Sequence, residues 1–194
     1  MEIDKSKVFN VPNKLSAARL VLSIIVCALI PLQFYWVALV LFLIAAGTDW
    51  LDGYIARKYN LVTKLGRILD PFVDKFLICG VFIYLAAESP KSGIAAWMAV
   101  VVVARELMVT VVRSFLEGEG VDFSAKMAGK LKMVFQCAAV VISLLVLSSD
   151  ANMSGSWMHW LLVATAWLAV GSTIYSGVGY VWQAIRLVGP KANS

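Results

Sequence analysis

Six long apolar segments divide this chain of 194 residues, and they constrain its fold more than any other feature. Each is near the ~20 residues that a helix needs to cross a bilayer, and none alternates as a membrane strand would. The segments are Leu15–Leu32, Tyr35–Asp49, Phe72–Ala87, Gly93–Phe115, Leu131–Leu147 and Trp157–Trp182. The pattern predicts an all-α, polytopic membrane protein with six transmembrane helices.

The composition excludes a water-soluble helical domain. Hydrophobic residues make up 61% of the chain and charged residues 15%, with a mean hydropathy of +0.83, whereas soluble domains are about 45–50% apolar. No internal repeat or linker interrupts the pattern, so residues 1–194 are expected to form one membrane domain. Residues 1–14 are polar, lack the order of a signal peptide, and are expected to lie in the cytoplasm or at the interface.

The basic residues orient the predicted bundle. The net charge is +5, and the lysines and arginines cluster beside apolar segments, while the opposite loops hold only Lys91. Positive charge favours the cytoplasmic side, which predicts that both termini and the charged loops face the cytoplasm. No basic stripe with interleaved aromatics is present, so nucleic acid is excluded as a partner. Anionic membrane lipids and phosphate-bearing substrates are the expected partners.

Four aspartates are the strongest candidates for chemistry. Asp49 and Asp52 are three residues apart on the second predicted helix, which is expected to continue through Arg57, and Asp70 and Asp74 are four apart on the next. Each pair therefore shares a helix face. Acidic residues at membrane depth usually mark function, and converging carboxylates would need neutralising cations. Oxygen ligands favour Mg²⁺ or Mn²⁺, and two such ions could bridge a pyrophosphate.

The alternative interpretation of the aspartates is purely structural. They could be carboxylates at helix ends, solvated among headgroups and paired with neighbouring cations. Those cations would be Arg57, Arg67 and Lys75.

Two glycines and an arginine accompany the aspartates. Gly53 follows Asp52, and Gly66 lies one turn before Asp70. Without a side chain, each allows a ligand or a neighbouring backbone to approach closely. Arg57, one turn beyond Gly53, could reach a phosphate oxygen with its planar guanidinium.

The pattern D-x₂-D-G-x₂-A-R-x₈-G-x₃-D-x₃-D resembles the signature of the CDP-alcohol phosphotransferase family, with every fixed position present. The resemblance implies a six-helix membrane fold, a homodimer, and two metal ions held by Asp49, Asp52, Asp70 and Asp74. It further implies a CDP-linked donor at Asp52, Gly53, Arg57 and Gly66, with Asp74 as general base. The chain's single histidine, His159, is predicted near the opposite membrane face.

Cations outside the motif indicate the acceptor. Arg105 and Arg113 share a face of the fourth span, and Lys130 and Lys132 open the fifth. An arginine in a membrane-spanning segment costs free energy unless it contacts an anion or lines a water-filled cavity. The structural alternative is that Glu106 pairs with either arginine, but the other arginine would then remain unpaired. The four cations are therefore predicted to bind a phosphate on the acceptor alcohol.

This layout is similar to family members whose acceptor is glycerol 3-phosphate. The likeness rests on short matches, and three places depart from it: Arg67-Ile68, Val73 and Met133. It implies CDP-diacylglycerol and glycerol 3-phosphate as substrates. The short N-terminal segment lacks an Arg- and Ser-rich presequence, which favours a bacterial plasma (inner) membrane over an organelle membrane of bacterial ancestry, and the basic loops predict that the active site faces the cytoplasm.

Other functions remain open at this point. The same chemistry could serve inositol phosphate, serine, or phosphatidylglycerol as in a cardiolipin synthase. A function of another class, cation transport through the aspartates, is disfavoured because the acids cluster at one membrane face rather than at mid-bilayer.

Overall fold

The computed structural model describes residues 11–58, 64–118, 127–149 and 157–188, and within these ranges the chain is all-helical with no strand. The predicted all-α class is confirmed. The helices are α1 Val11–Leu29, α2 Tyr35–Lys58, α3 Lys64–Ala87, α4 Ala96–Gly118, α5 Met127–Ser148 and α6 Trp157–Val188.

Two helices extend well beyond their apolar segments, at the polar motif. Helix α2 continues to Lys58, as expected from the sequence, while α3 begins at Lys64 rather than at Phe72. Apolar composition marks the part of a helix that avoids water, whereas backbone hydrogen bonding continues through residues of good helix propensity such as lysine, leucine and arginine. The motif therefore lies on helices at almost every position.

The helices pack in a ring whose order differs from their order along the chain. Helix α1 contacts α2 and α3, α2 contacts α5, α5 packs most extensively on α6, and α6 contacts α4, which returns to α3. Contacts between α3 and α5 cross the middle of the ring. Helices α3, α4, α5 and α6 therefore surround a common space, and the functional side chains lie there.

One apolar core joins the helices away from that space. Its largest fully buried side chains include Ile30, Phe42, Phe82, Leu85 and Leu144, which come from the segment after α1 and from α2, α3 and α5. Burying such side chains stabilises a fold by about 1.5–3 kcal/mol each in water. The core fixes the helix positions from which the polar residues project.

The outward faces of the bundle are apolar. Large side chains such as Val111 and Tyr175 are 69% and 76% exposed. In the described part of the chain, two helices are long and apolar enough to cross a membrane, over Leu131–Ser148 and Trp157–Arg186, and shorter apolar helical stretches cover Leu15–Leu29 and Tyr35–Thr48. These features indicate a membrane protein, and six crossings remain a prediction.

The turn between α3 and α4 depends on a glycine. Gly93 has φ of +70°, and a Cβ atom there would lie 2.6 Å from Cγ of Leu162 on α6. The neighbouring Ser92 donates its hydroxyl to the Leu85 carbonyl at 2.6 Å, and its own carbonyl accepts a hydrogen bond from Ser143 at 2.7 Å. The turn is thus fixed between α3, α5 and α6, with no room for a side chain at position 93.

Gly93→Ala is expected to lower the free energy of unfolding by about 1–3 kcal/mol, through backbone strain and overpacking. Thermal unfolding in detergent measures the effect. Gly171→Ala on α6 is the control, because a Cβ there meets no atom within 4 Å and alanine favours helix. Equal loss of stability in both variants would contradict this explanation.

Candidate functional site

The aspartate motif occupies the end of α2 and the beginning of α3. Asp49 and Asp52 lie about one turn apart on α2, and Asp70 and Asp74 about one turn apart on α3. All four positions lie within about three turns of the helix ends that residues 59–63 connect. So short a segment spans at most on the order of 20 Å, so the two pairs belong to the same end of the bundle.

Asp74 is the one member of the motif whose side chain the structure describes, and it is half-buried. Among the described side chains, no group of three or more histidines, cysteines, aspartates or glutamates lies together. The remaining predicted metal and nucleotide residues lie outside the described side chains, and their roles stay predictions. They are Asp49, Asp52, Gly53, Arg57, Gly66 and Asp70.

Two successive hydrogen bonds connect the turn of α3 that carries Asp74 to α4. Lys75 donates from Nζ to Oγ1 of Thr110 at 2.5 Å, and the Thr110 hydroxyl donates to the backbone carbonyl of Glu106 at 2.5 Å. The turn of α3 that carries Asp74 therefore lies beside the part of α4 that carries Glu106.

A buried ion cluster lies on the other side of Glu106. Its carboxylate accepts hydrogen bonds from Nη1 of Arg105, at 3.1 Å to Oε1 and 3.3 Å to Oε2, and its Oε1 also pairs with the Lys132 ammonium from α5. Arg105 is 8% exposed, and Glu106 and Lys132 are 4% exposed. Charges buried this deeply require partners, because the cost of desolvation is otherwise several kcal/mol per ion.

Helix α6 supplies the remaining contacts of Arg105. Its Nη2 donates to Oγ of Ser176 at 2.6 Å, and its guanidinium carbon lies 5.3 Å from the centre of the Tyr180 ring, within the range of a cation–π contact. A Cβ atom at Gly177 would approach Cγ of Arg105 to 3.2 Å. The arginine is therefore held from α4, α5 and α6 at once.

The described cluster carries more positive than negative charge. Lys75 interacts electrostatically with Asp74, Glu106, Arg105 and Arg113, and Lys132 interacts with Asp74, Glu106 and Arg105. The described part of this cluster therefore contains four cations and two carboxylates, which are Lys75, Arg105, Arg113 and Lys132 against Asp74 and Glu106. Nε of Arg105 and Nε of Arg113 are buried without a hydrogen-bond acceptor among the described residues. Such a cluster is suited to an anion.

The structure brings together two of the residues predicted to bind phosphate, Arg105 and Lys132, through Glu106. Arg113 lies about two turns further along α4. The side chain of Lys130 is outside the described part, but its neighbour Gly129 lies beside Tyr180, whose Oη would be 3.4 Å from a Cβ there. The start of α5 therefore borders the same cluster.

Sequence reasoning missed Thr110, Ser176 and Tyr180 as members of the site. A signal existed on α6, because Thr173, Ser176 and Tyr180 are spaced three and four residues apart and form one buried polar face. His159 lies in the first turn of α6, 17 positions before Ser176. That distance is about 25 Å along the helix, which places the histidine far from the cluster.

Comparison with known proteins identifies relatives that match most of the chain. The family profile described as CDP-alcohol phosphatidyltransferase matches residues 9–170. Proteins named CDP-diacylglycerol–glycerol-3-phosphate 3-phosphatidyltransferase from Bacillus subtilis and Rickettsia felis are each 36% identical, over 92% and 93% of this chain and 98% and 96% of their own lengths. A probable phosphatidylglycerophosphate synthase from Mycobacterium tuberculosis is 35% identical over 79% of this chain and 68% of its own length.

Proposed function

Because this chain belongs to the CDP-alcohol phosphatidyltransferase family, we propose that it transfers the phosphatidyl group of CDP-diacylglycerol to glycerol 3-phosphate, giving phosphatidylglycerophosphate and CMP. The names of the two 36% identical relatives support these substrates. The observation that carries the proposal is the excess of positive charge among the described side chains beside Asp74, where the buried Arg105 and Lys132 share the single carboxylate of Glu106 and Lys75 and Arg113 lie nearby. Within this described set, a neutral acceptor brings no charge to balance the cations, whereas a phosphate does.

The acceptor phosphate binds among Arg105, Arg113, Lys130 and Lys132. Hydrogen bonds between guanidinium or ammonium groups and phosphate are short and strong, and arginine adds a fixed planar geometry. The Lys75–Thr110 hydrogen bond holds α3 against α4 at this level. It thereby keeps Asp74 at the edge of the phosphate site.

The donor binds on the aspartate side. Asp49, Asp52, Asp70 and Asp74 hold two divalent cations, Mg²⁺ or Mn²⁺, and Asp52, Gly53, Arg57 and Gly66 contact the cytidine diphosphate. The donor set fits such ions, because it consists of carboxylate oxygens from two consecutive helices. When bound, the metal ions neutralise the pyrophosphate and stabilise the charge that develops on its oxygens.

Asp74 is the proposed general base. It accepts the proton of the 1-hydroxyl of glycerol 3-phosphate, while that oxygen forms a bond to the lipid-side phosphorus. The bond from this phosphorus to the bridging oxygen breaks, and the oxygen leaves on CMP. Positioning supplies much of the rate enhancement, since two substrates are held in one orientation.

The enzyme is proposed to act at a bacterial plasma (inner) membrane with its site facing the cytoplasm. There it meets membrane lipids together with the water-soluble acceptor. The excess of lysine and arginine in the loops on the site's side supports this orientation. Residues 1–194 are proposed to form one domain with residues 1–14 at the cytoplasmic surface, and two copies to form a homodimer.

The experiment that tests the proposal measures CMP release by the purified protein in detergent with CDP-diacylglycerol and Mg²⁺ or Mn²⁺. Glycerol 3-phosphate, inositol phosphate, serine and phosphatidylglycerol are supplied in parallel. Release is expected with glycerol 3-phosphate, and removal of divalent ions with EDTA is expected to abolish it. Restoring Mg²⁺ or Mn²⁺ separately identifies which ion supports turnover.

The four acceptors separate the parts of the proposal. CMP release with inositol phosphate instead would support the proposed phosphate site but identify a different acceptor alcohol. Release only with serine or phosphatidylglycerol would contradict the phosphate site. Full activity in EDTA would contradict the metal role of the aspartates.

A further inference from the structure

Arg105 is held by two side chains that the proposed reaction leaves without a role. Glu106 precedes Thr110 by one turn of α4 and accepts two hydrogen bonds from Nη1 of Arg105. Ser176 of α6 accepts a hydrogen bond from Nη2 at 2.6 Å. Both partners are almost fully buried. The guanidinium is thus fixed at both terminal nitrogens before any substrate binds.

Glu106 also determines where Lys132 lies. The ammonium of Lys132, from α5, pairs with the same carboxylate oxygen that Arg105 contacts. One carboxylate between two cations keeps them close together yet leaves the buried trio with a net positive charge. Without Glu106, the two cations would repel each other at this distance. The carboxylate therefore assembles the cation pair without neutralising it.

Helix α6 restricts Arg105 further through its shape. Gly177 leaves space for the aliphatic part of Arg105, since a Cβ there would lie only 3.2 Å from Cγ. The Tyr180 ring lies 5.3 Å from the guanidinium carbon. Arg105 therefore has little freedom to adopt another rotamer. A side chain ordered in advance loses less conformational entropy when it binds a ligand.

We propose that Glu106 and Ser176 are positioning residues of the acceptor site: together they fix Arg105 and Lys132 in the geometry that receives a phosphate monoester. This inference rests on the proposed function. It adds that affinity for the acceptor depends on residues of α4 and α6 that do not themselves need to touch it.

The first test compares Ser176→Ala with Ser143→Ala. Ser143 is a control of the same size and burial: like Ser176 it is a buried serine with a side-chain hydrogen bond, but its hydroxyl donates, at 2.7 Å, to the distant Ser92 carbonyl. Ser176→Ala is expected to raise the KM for glycerol 3-phosphate about three- to tenfold, with the KM for CDP-diacylglycerol and kcat within about twofold. Ser176→Thr, which keeps the hydroxyl, is expected to restore most of the affinity.

The second test uses Glu106→Gln, which keeps the shape and removes the charge. A positioning role predicts a rise in the KM for glycerol 3-phosphate on the order of tenfold or more. A carboxylate that merely competes with the phosphate would instead produce a fall in that KM when removed. A fall would overturn the proposal.

The outcomes for the inference and for the proposed function are distinguishable. No CMP release by folded wild-type protein with glycerol 3-phosphate would overturn both. Normal release by wild type, with an unchanged KM in Ser176→Ala, would overturn only the inference. Equal changes in Ser176→Ala and Ser143→Ala would also overturn it, since they would indicate a general packing effect.

Discussion

Asp74→Asn is expected to lower kcat for CMP release by roughly 10²–10⁴-fold, the range for loss of a general acid–base group. Asparagine has almost the same shape as aspartate but cannot accept a proton at neutral pH. Asp74 is half-buried, and its neighbour Lys75 is bonded to Thr110, so the helix turn is held in place when the charge is removed. The measurement is the initial rate at saturating CDP-diacylglycerol, glycerol 3-phosphate and Mg²⁺.

Two comparisons make this result specific. Glu88→Gln removes a carboxylate from the turn after α3, at the other end of that helix, and is expected to leave kcat unchanged. The metal concentration is then raised for Asp74→Asn. If kcat returns to the wild-type value at high Mg²⁺ or Mn²⁺, Asp74 acts only as a metal ligand and the general-base role is wrong.

The six helices were predictable from the sequence, but the beginning of α3 was not. Hydropathy located all six helices, because the apolar surface of each must either be buried in the bundle or face lipid. It did not locate the start of α3 at Lys64, since Lys64 and Arg67 are polar while remaining compatible with a helix. Helix bounds follow backbone hydrogen bonding, whereas apolar segments follow the preferred solvent.

The ion cluster was predicted only in part. The pattern on α4 indicated a cationic site and left Glu106 to pair with either arginine. In the structure Glu106 pairs with Arg105 and Lys132. The contact with Lys132 depends on which helices are neighbours, and the ring order, with α6 between α5 and α4, is not encoded in local spacing. Ser176 was missed for the same reason.

Arg113 provides the sharpest test of the acceptor, because it can be changed without breaking the Arg105–Glu106–Lys132 cluster. It lies on α4 about two turns beyond Arg105, within electrostatic range of Lys75, and its buried Nε has no hydrogen-bond acceptor among the described residues. A group of this kind is available to an incoming anion. Since phosphate–guanidinium hydrogen bonds are charge-assisted, their loss affects binding strongly.

Arg113→Ala is expected to raise the KM for glycerol 3-phosphate about 10- to 150-fold, which corresponds to about 1.5–3 kcal/mol for hydrogen bonds to a charged group. The KM for CDP-diacylglycerol is expected to stay within about twofold, because the donor binds on the aspartate side. Arg186→Ala is the control: Arg186 stacks on Trp182 near the end of α6 and should leave both constants unchanged. Equal increases in the two KM values for Arg113→Ala would indicate that this cation serves the donor's pyrophosphate, and the acceptor phosphate site would then have to be sought elsewhere among the cations of α4 and α5.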